Sequence, residues 1–222
     1  MLQTSSIRFL KELKKNNNKS WFDAHRPAYE AARKDFELFI QQLIDLTGKK
    51  DPELAGIKAK ECLFRINRDV RFSKDKSPYK SNFGASINRG GKKSIFGGYY
   101  FHFEPGNSFI GGGLWAPMPQ ELQKVRQEID YCFDEFSKLV NAKKFKDVYN
   151  GLDFSSESSL SRVPRGYEPD NPAAKYIKLK NFIAMRKVSD KELQSPELLK
   201  ESANTLLTLT PVIKFINRAI EH

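Results

Sequence analysis

The chain has 222 residues, of which 39% are hydrophobic and 29% charged, with a formal net charge of +11. That length suits one large domain or two small ones with a proper core, and no apolar run approaches the roughly eighteen residues that a membrane-spanning helix needs. The positive surplus favours anionic partners such as nucleic acid, nucleotides, acidic metabolites or acidic membrane surfaces, without membrane insertion. The N-terminal MLQTSSIRFLKELKK lacks an apolar h-region, so no secretory signal is expected, the cytoplasm is the expected compartment, and Cys62 and Cys132 read as reduced core residues.

Taken in order, residues 6–16 predict a short helix with Ser5 or Ser6 as cap and Ile7, Leu10 and Leu13 on one face. Ser20 caps a brief turn through Trp21 and Phe22. Pro27 then opens a helix to about Leu46, striped by Tyr29, Ala32, Phe36, Phe39, Ile40 and Leu43. From Glu61 the period changes: Leu63, Phe64 and Ile66 predict a strand with Phe64 and Ile66 on one face, and Arg65 and Asn67 on the other. Further strands are expected at 83–88, 95–104 and 108–115, separated by short turns as in an antiparallel meander. In the third of these four, Tyr99, Phe101 and Phe103 share one face and Tyr100, His102 and Glu104 the other. Gly111, Gly112 and Gly113 mark a bulge or a close backbone approach. Pro119 opens a long helix to about Val140. A short helix at 141–150, a serine-rich loop at 152–160, a helix at 172–179, a strand at 182–188 and two helices at 196–209 and 211–220 complete the chain. With no repeat and no long linker, this reads as one α+β domain over 1–222, a mostly antiparallel sheet of about four to six strands with N- and C-terminal helices packed on it.

The segment Arg65 to Lys80, RINRDVRFSKDKSPYK, concentrates the charge. Arg65, Arg68, Arg71, Lys74, Lys76 and Lys80 face only Asp69 and Asp75, a surplus of four positive charges, with Phe72 and Tyr79 interleaved. Such a run is expensive to bury unless its charges are paired. It serves either as a salt-bridge network that ties a loop to the body or as a site that awaits an anion. A bend near Asn67 and Arg68 would bring the three arginines together.

The pattern Arg65-x-x-Arg68-Asp69-x-Arg71-Phe72-x-x-Asp75-Lys76-x-x-Tyr79 resembles the signature of the bacterial and fungal family called domain of unknown function 2461. The blocks LKKNNNKSWF (13–22), GGGLWAP (111–117), RVPRGY (162–167) and PAAKYIKLK (172–180) resemble that family's blocks in the same order, so the similarity covers nearly the whole chain. The resemblance offers no catalytic residue to carry over and names no cofactor, which is unknown.

No GxSxG, HExxH, GxGxxG or Walker frame occurs, and three histidines are too few for a His-rich metal site. A carboxylate-bound cation at Asp69, Asp75 and Glu104 is opposed by the adjacent lysines and arginines. Oxyanions suit the run better, because a guanidinium fork matches a phosphate or carboxylate edge and does not titrate away. The expected anion-binding set is therefore Arg65, Arg68, Asp69, Arg71, Lys74, Asp75, Lys76, Tyr79 and Lys80, with Tyr100, His102, Arg162 and Arg165 as its extension and His102 as the candidate general base. An anionic small molecule is the expected partner. Nucleic acid is the alternative, motivated by the net charge and the basic turn from Arg89 to Lys93. The third reading is a purely structural motif with function elsewhere.

Overall fold

The computed structural model describes residues 1–71 and 73–222. Helices α1 (Thr4–Lys15), α2 (Lys19–Ala24), α3 (Arg26–Gly48) and α4 (Ala59–Cys62) precede the strands β1 (Phe83–Ile87), β2 (Gly98–Phe103) and β3 (Ser108–Leu114). Helices α5 (Pro119–Tyr131), α6 (Phe133–Asn141), α7 (Lys143–Tyr149) and α8 (Ala174–Ile177) lead to β4 (Phe182–Val188). Helices α9 (Asp190–Leu193), α10 (Leu198–Leu207) and α11 (Thr210–Glu221) close the chain. The sheet is an antiparallel meander of order β1-β2-β3-β4, whose last connection carries α5 to α8. The architecture is α+β, with helices from both ends of the chain packed on one sheet.

The chain forms two compact units. The first holds residues 1–92, 100–110 and 187–204. Its core is aromatic. Phe36 of α3, 1% exposed, lies against Phe83, Phe101 and Phe103 with ring centroids 5.6, 6.2 and 5.9 Å away. Period-two alternation turns Phe101 and Phe103 inward and Tyr100, His102 and Glu104 outward. Helix α1 docks on α3 through the Ser6 hydroxyl, which donates to Asp35 at 2.6 Å. Lys11 pairs with Asp190 at 3.0 Å, and the Leu2 N–H donates to the Leu193 carbonyl.

The second unit holds residues 93–99, 111–186 and 205–222. Phe136 packs on Tyr176 and Phe215 at 5.2 and 5.1 Å, and Arg218 of α11 bonds both Glu128 and Glu135. The expected close approach at the glycines is present: a Cβ on Gly113 would lie 1.9 Å from the Phe182 carbonyl oxygen, and its φ is +119°. Among the described residues no helix is long and apolar enough to cross a membrane.

Three local expectations are corrected. The strand from Glu61 does not form. Leu63 bridges Ala85, whereas Asn67 bridges Tyr79, so the segment changes partner within four residues and no ladder is built. Ile66 is therefore buried and Phe64 is 40% exposed, instead of sharing a face. The helix after Pro119 breaks at Cys132, where φ is −110° and ψ 40°. The break re-aims α6 so that Phe136 faces Phe215 and Glu135 reaches Arg218 along with Glu128. None of the three expected serines is a cap: Gln3 precedes α1, with Ser5 and Ser6 inside it and Ser6 committed to Asp35, and the Asn18 side chain caps α2 ahead of Ser20 by accepting the Trp21 N–H at 2.9 Å.

Candidate functional site

The charged segment is a loop closed at its base. The Arg68 N–H donates to the Pro78 carbonyl at 3.0 Å and the Lys80 N–H to the Ile66 carbonyl at 2.8 Å. An element the sequence reading missed anchors it. The Asn17 side chain donates to the Tyr79 carbonyl at 2.8 Å and accepts the Tyr79 N–H at 3.1 Å, imitating a neighbouring strand. The Tyr79 ring, 7% exposed, stacks on Phe22 with centroids 3.9 Å apart. Asn17 and Phe22 both come from the LKKNNNKSWF block, read from sequence only as a helix end and a turn. Tyr79 thus has its ring committed to the body of the unit.

Within the loop the two aspartates each take one arginine. Asp69 accepts two bonds from Arg71, at 2.9 Å from Nε and 2.6 Å from Nη2, in a bidentate pair. This pair is a surface feature, with side chains 46% and 75% exposed. The Arg71 hydrogen bonds hold the Asp69 carboxyl below its ordinary value, with a weaker pull from Arg65. Asp75 accepts the hydroxyl and N–H of Ser77 at 2.6 and 2.9 Å and pairs with Arg68. Bonds from Ser77 first, then Arg68, lower its pKa to about 2. Lys76 donates to the Val70 carbonyl at 3.0 Å. Phe72 of the signature lies outside the described residues.

Arg65, Lys74 and Lys80 make no hydrogen bond or ion pair to a carboxylate among the described residues. Arg65 and Lys74 are exposed, whereas Lys80 is half-buried. Its ammonium lies 5.6 Å from the centre of the Phe64 ring. Burial, then the repulsion of Arg65 and Arg68, push its pKa below the ordinary value. The closed base of the loop sets residues 65–68 opposite 78–80, so that Arg65 and Arg68 repel the Lys80 ammonium, while Arg71 is bound to Asp69.

Beside this cluster on β2, the Tyr100 hydroxyl lies 3.2 Å from His102 Nδ1, and His102 Nε2 lies 3.4 Å from Glu104. A carboxylate only accepts, so Nε2 donates to Glu104 and Nδ1 accepts from Tyr100. Glu104 also receives Ser81 at 3.0 Å, Asn107 at 3.2 Å and Lys14 at 3.5 Å. Burial lowers the His102 pKa despite Glu104, and burial pushes Tyr100 up to about 12. Near neutral pH this is a chain of neutral tyrosine, neutral histidine and carboxylate, with both ring nitrogens of His102 occupied. Gly84 makes room for it: a Cβ there would stand 2.5 Å from the Tyr100 hydroxyl.

Residues 5–215 match the model of a family described as conserved hypothetical protein (DUF2461). The chain belongs to this family. No curated protein and no solved structure matches the chain. The matched span takes in the Asn17 clamp, the charged loop and the Tyr100–His102–Glu104 chain. Of the charged segment, the first unit holds Arg65, Arg68, Asp75, Tyr79 and Lys80, with Tyr100 and His102 on β2. Arg162 and Arg165 belong to the second unit, on an exposed segment. No group of three or more His, Cys, Asp or Glu side chains able to hold a metal occurs among the described residues.

Proposed function

We propose that the protein binds a phosphate-bearing or other anionic small ligand at Arg65, Arg68 and Lys80. The observation that carries this reading is Lys80: a half-buried ammonium at the closed base of the loop, repelled by Arg65 and Arg68 and, among the described residues, paired to no carboxylate. Like charges held together are strained electrostatically, and an oxyanion bridging them relieves that strain. The Arg71–Asp69 and Arg68–Asp75 pairs then have the task of shaping the loop that presents the cluster. A second reading keeps the whole motif as scaffold, and it is favoured by the commitment of Arg68 to Asp75 and Ser73 within the loop.

Thermal and urea unfolding in graded inorganic phosphate and pyrophosphate separates the two. A ligand at one hundred times its Kd stabilises by about 2.7 kcal/mol. The parent is expected to be stabilised with the logarithm of pyrophosphate concentration, and the variants Lys80→Gln and Arg65→Gln to lose most of that effect while keeping their unliganded stability. Equal stabilisation of parent and variants, or none at all, defeats the anion site and leaves the loop as scaffold.

A further inference from the structure

Phe64 is 40% exposed although its backbone is pinned, the N–H donating to the Gly84 carbonyl at 3.0 Å. Its ring meets Tyr100 edge-on at 6.4 Å between centroids and has the Lys80 ammonium 5.6 Å from its centre. An accessible aromatic ring thus stands beside the Lys80 ammonium of the cation cluster. These are the two recognition elements that a base joined to a phosphate requires: a flat apolar surface for stacking and fixed positive charge for the oxyanion.

We infer that the anion held at Arg65, Arg68 and Lys80 is the phosphate group of a mononucleotide whose base stacks on Phe64. This rests on the anion site proposed above and names its ligand class. Charge complementarity selects the phosphate end of the ligand. The number of available rings selects a single nucleotide over a strand, since single-stranded nucleic acid is held by successive aromatic platforms along a basic groove. Among the described residues, the rings beyond Phe64 on this face are already engaged. His102 and Phe109 stack on each other at 4.5 Å, the His102 side chain is only 12% exposed, and the Tyr100 hydroxyl is bonded to His102. Among the described residues, one exposed ring beside one cation cluster matches one base with its phosphates.

Calorimetric titration of the full chain with inorganic pyrophosphate and with the adenosine, guanosine, cytidine and uridine 5′-diphosphates tests this. At least one diphosphate is expected to bind about tenfold or more tightly than pyrophosphate, the stacking of one base. Phe64→Leu should erase that advantage and leave pyrophosphate affinity unchanged, Phe64→Tyr should retain it, and Lys80→Gln should weaken both ligands. Thermal melts confirm that each variant is folded before titration. If pyrophosphate binds and no diphosphate exceeds it, or if Phe64→Leu weakens both alike, the base platform is overturned and the anion site stands. If neither pyrophosphate nor any diphosphate binds, both fall. If a single-stranded oligoribonucleotide binds with a steep salt dependence while no diphosphate surpasses pyrophosphate, the surface belongs to nucleic acid and the mononucleotide is overturned.

Discussion

Replacing Asn17 by alanine tests whether the charged loop is held by one side chain far away in sequence. Its amide makes two hydrogen bonds to the Tyr79 backbone, at 2.8 and 3.1 Å, and Tyr79 is 7% exposed. Each such bond contributes about 0.5–1.5 kcal/mol net, so losing both costs about 1–3 kcal/mol. The upper end is expected, because the Tyr79 ring is stacked on Phe22 and water must enter beside it to replace the amide. Asn17→Asp is the control: it keeps an acceptor for the Tyr79 N–H but places a second carboxylate oxygen against the Tyr79 carbonyl, and should cost at least as much as alanine. The assay is urea unfolding of parent and both variants, together with hydrogen exchange at the Tyr79 and Lys80 amides. Exchange at these two amides should accelerate more than exchange in the core of α3. A loss below about 0.5 kcal/mol, or unchanged protection at Tyr79, would refute the clamp.

Three further expectations follow from the first unit. Phe36→Ala opens a cavity between Phe83, Phe101 and Phe103 and should cost about 3–5 kcal/mol by urea unfolding; a cost below about 1.5 kcal/mol would contradict the packing. The Asp75 carboxyl, held at about 2 against an ordinary 3.8, contributes stability that is present above 3.8 and lost as pH falls toward 2. Ser77→Ala should move its NMR titration midpoint upward, and an unmoved midpoint refutes Ser77 as the main cause. His102 has a pKa lowered from 6.5 by burial, so the unfolded state takes up its proton first and the contribution of this group falls as pH drops below about 6.5. Lys14, Tyr100 and Glu104 face it or its carboxylate partner, and His102→Gln should shrink the stability difference between pH 7.5 and 5.5; an undiminished difference assigns it to other groups.

Much of this architecture is legible in the sequence. The stripe from Ala32 to Leu43 placed α3, alternation from Tyr99 to Glu104 placed β2 with the correct residues inward, and the run 182–188 placed β4 at its observed bounds. These are local signals, set by periods of 3.6 and 2. The misreadings have local causes as well. Leu63, Phe64 and Ile66 carry the composition of a strand, but strand formation needs one partner throughout, and here Leu63 and Asn67 bridge different segments. No proline or glycine announces the break at Cys132.

The sequence by itself determined where the charge lies, which family the chain belongs to and which faces of α3 and β2 are buried, because each depends on residue identity and near-neighbour spacing. It could not decide which cation meets which carboxylate. In the run from Arg65 to Lys80 every basic residue is within reach of either aspartate along a flexible chain, and only the folded loop assigns Arg71 to Asp69 and Arg68 to Asp75. Nor could it show that Asn17, sixty-two positions from Tyr79, closes that loop. Coulomb and hydrogen-bond energies depend on distances of a few ångströms. Those distances are set by long-range closure, and it is closure that leaves Lys80 half-buried beside an exposed Phe64 and repelled by Arg65 and Arg68.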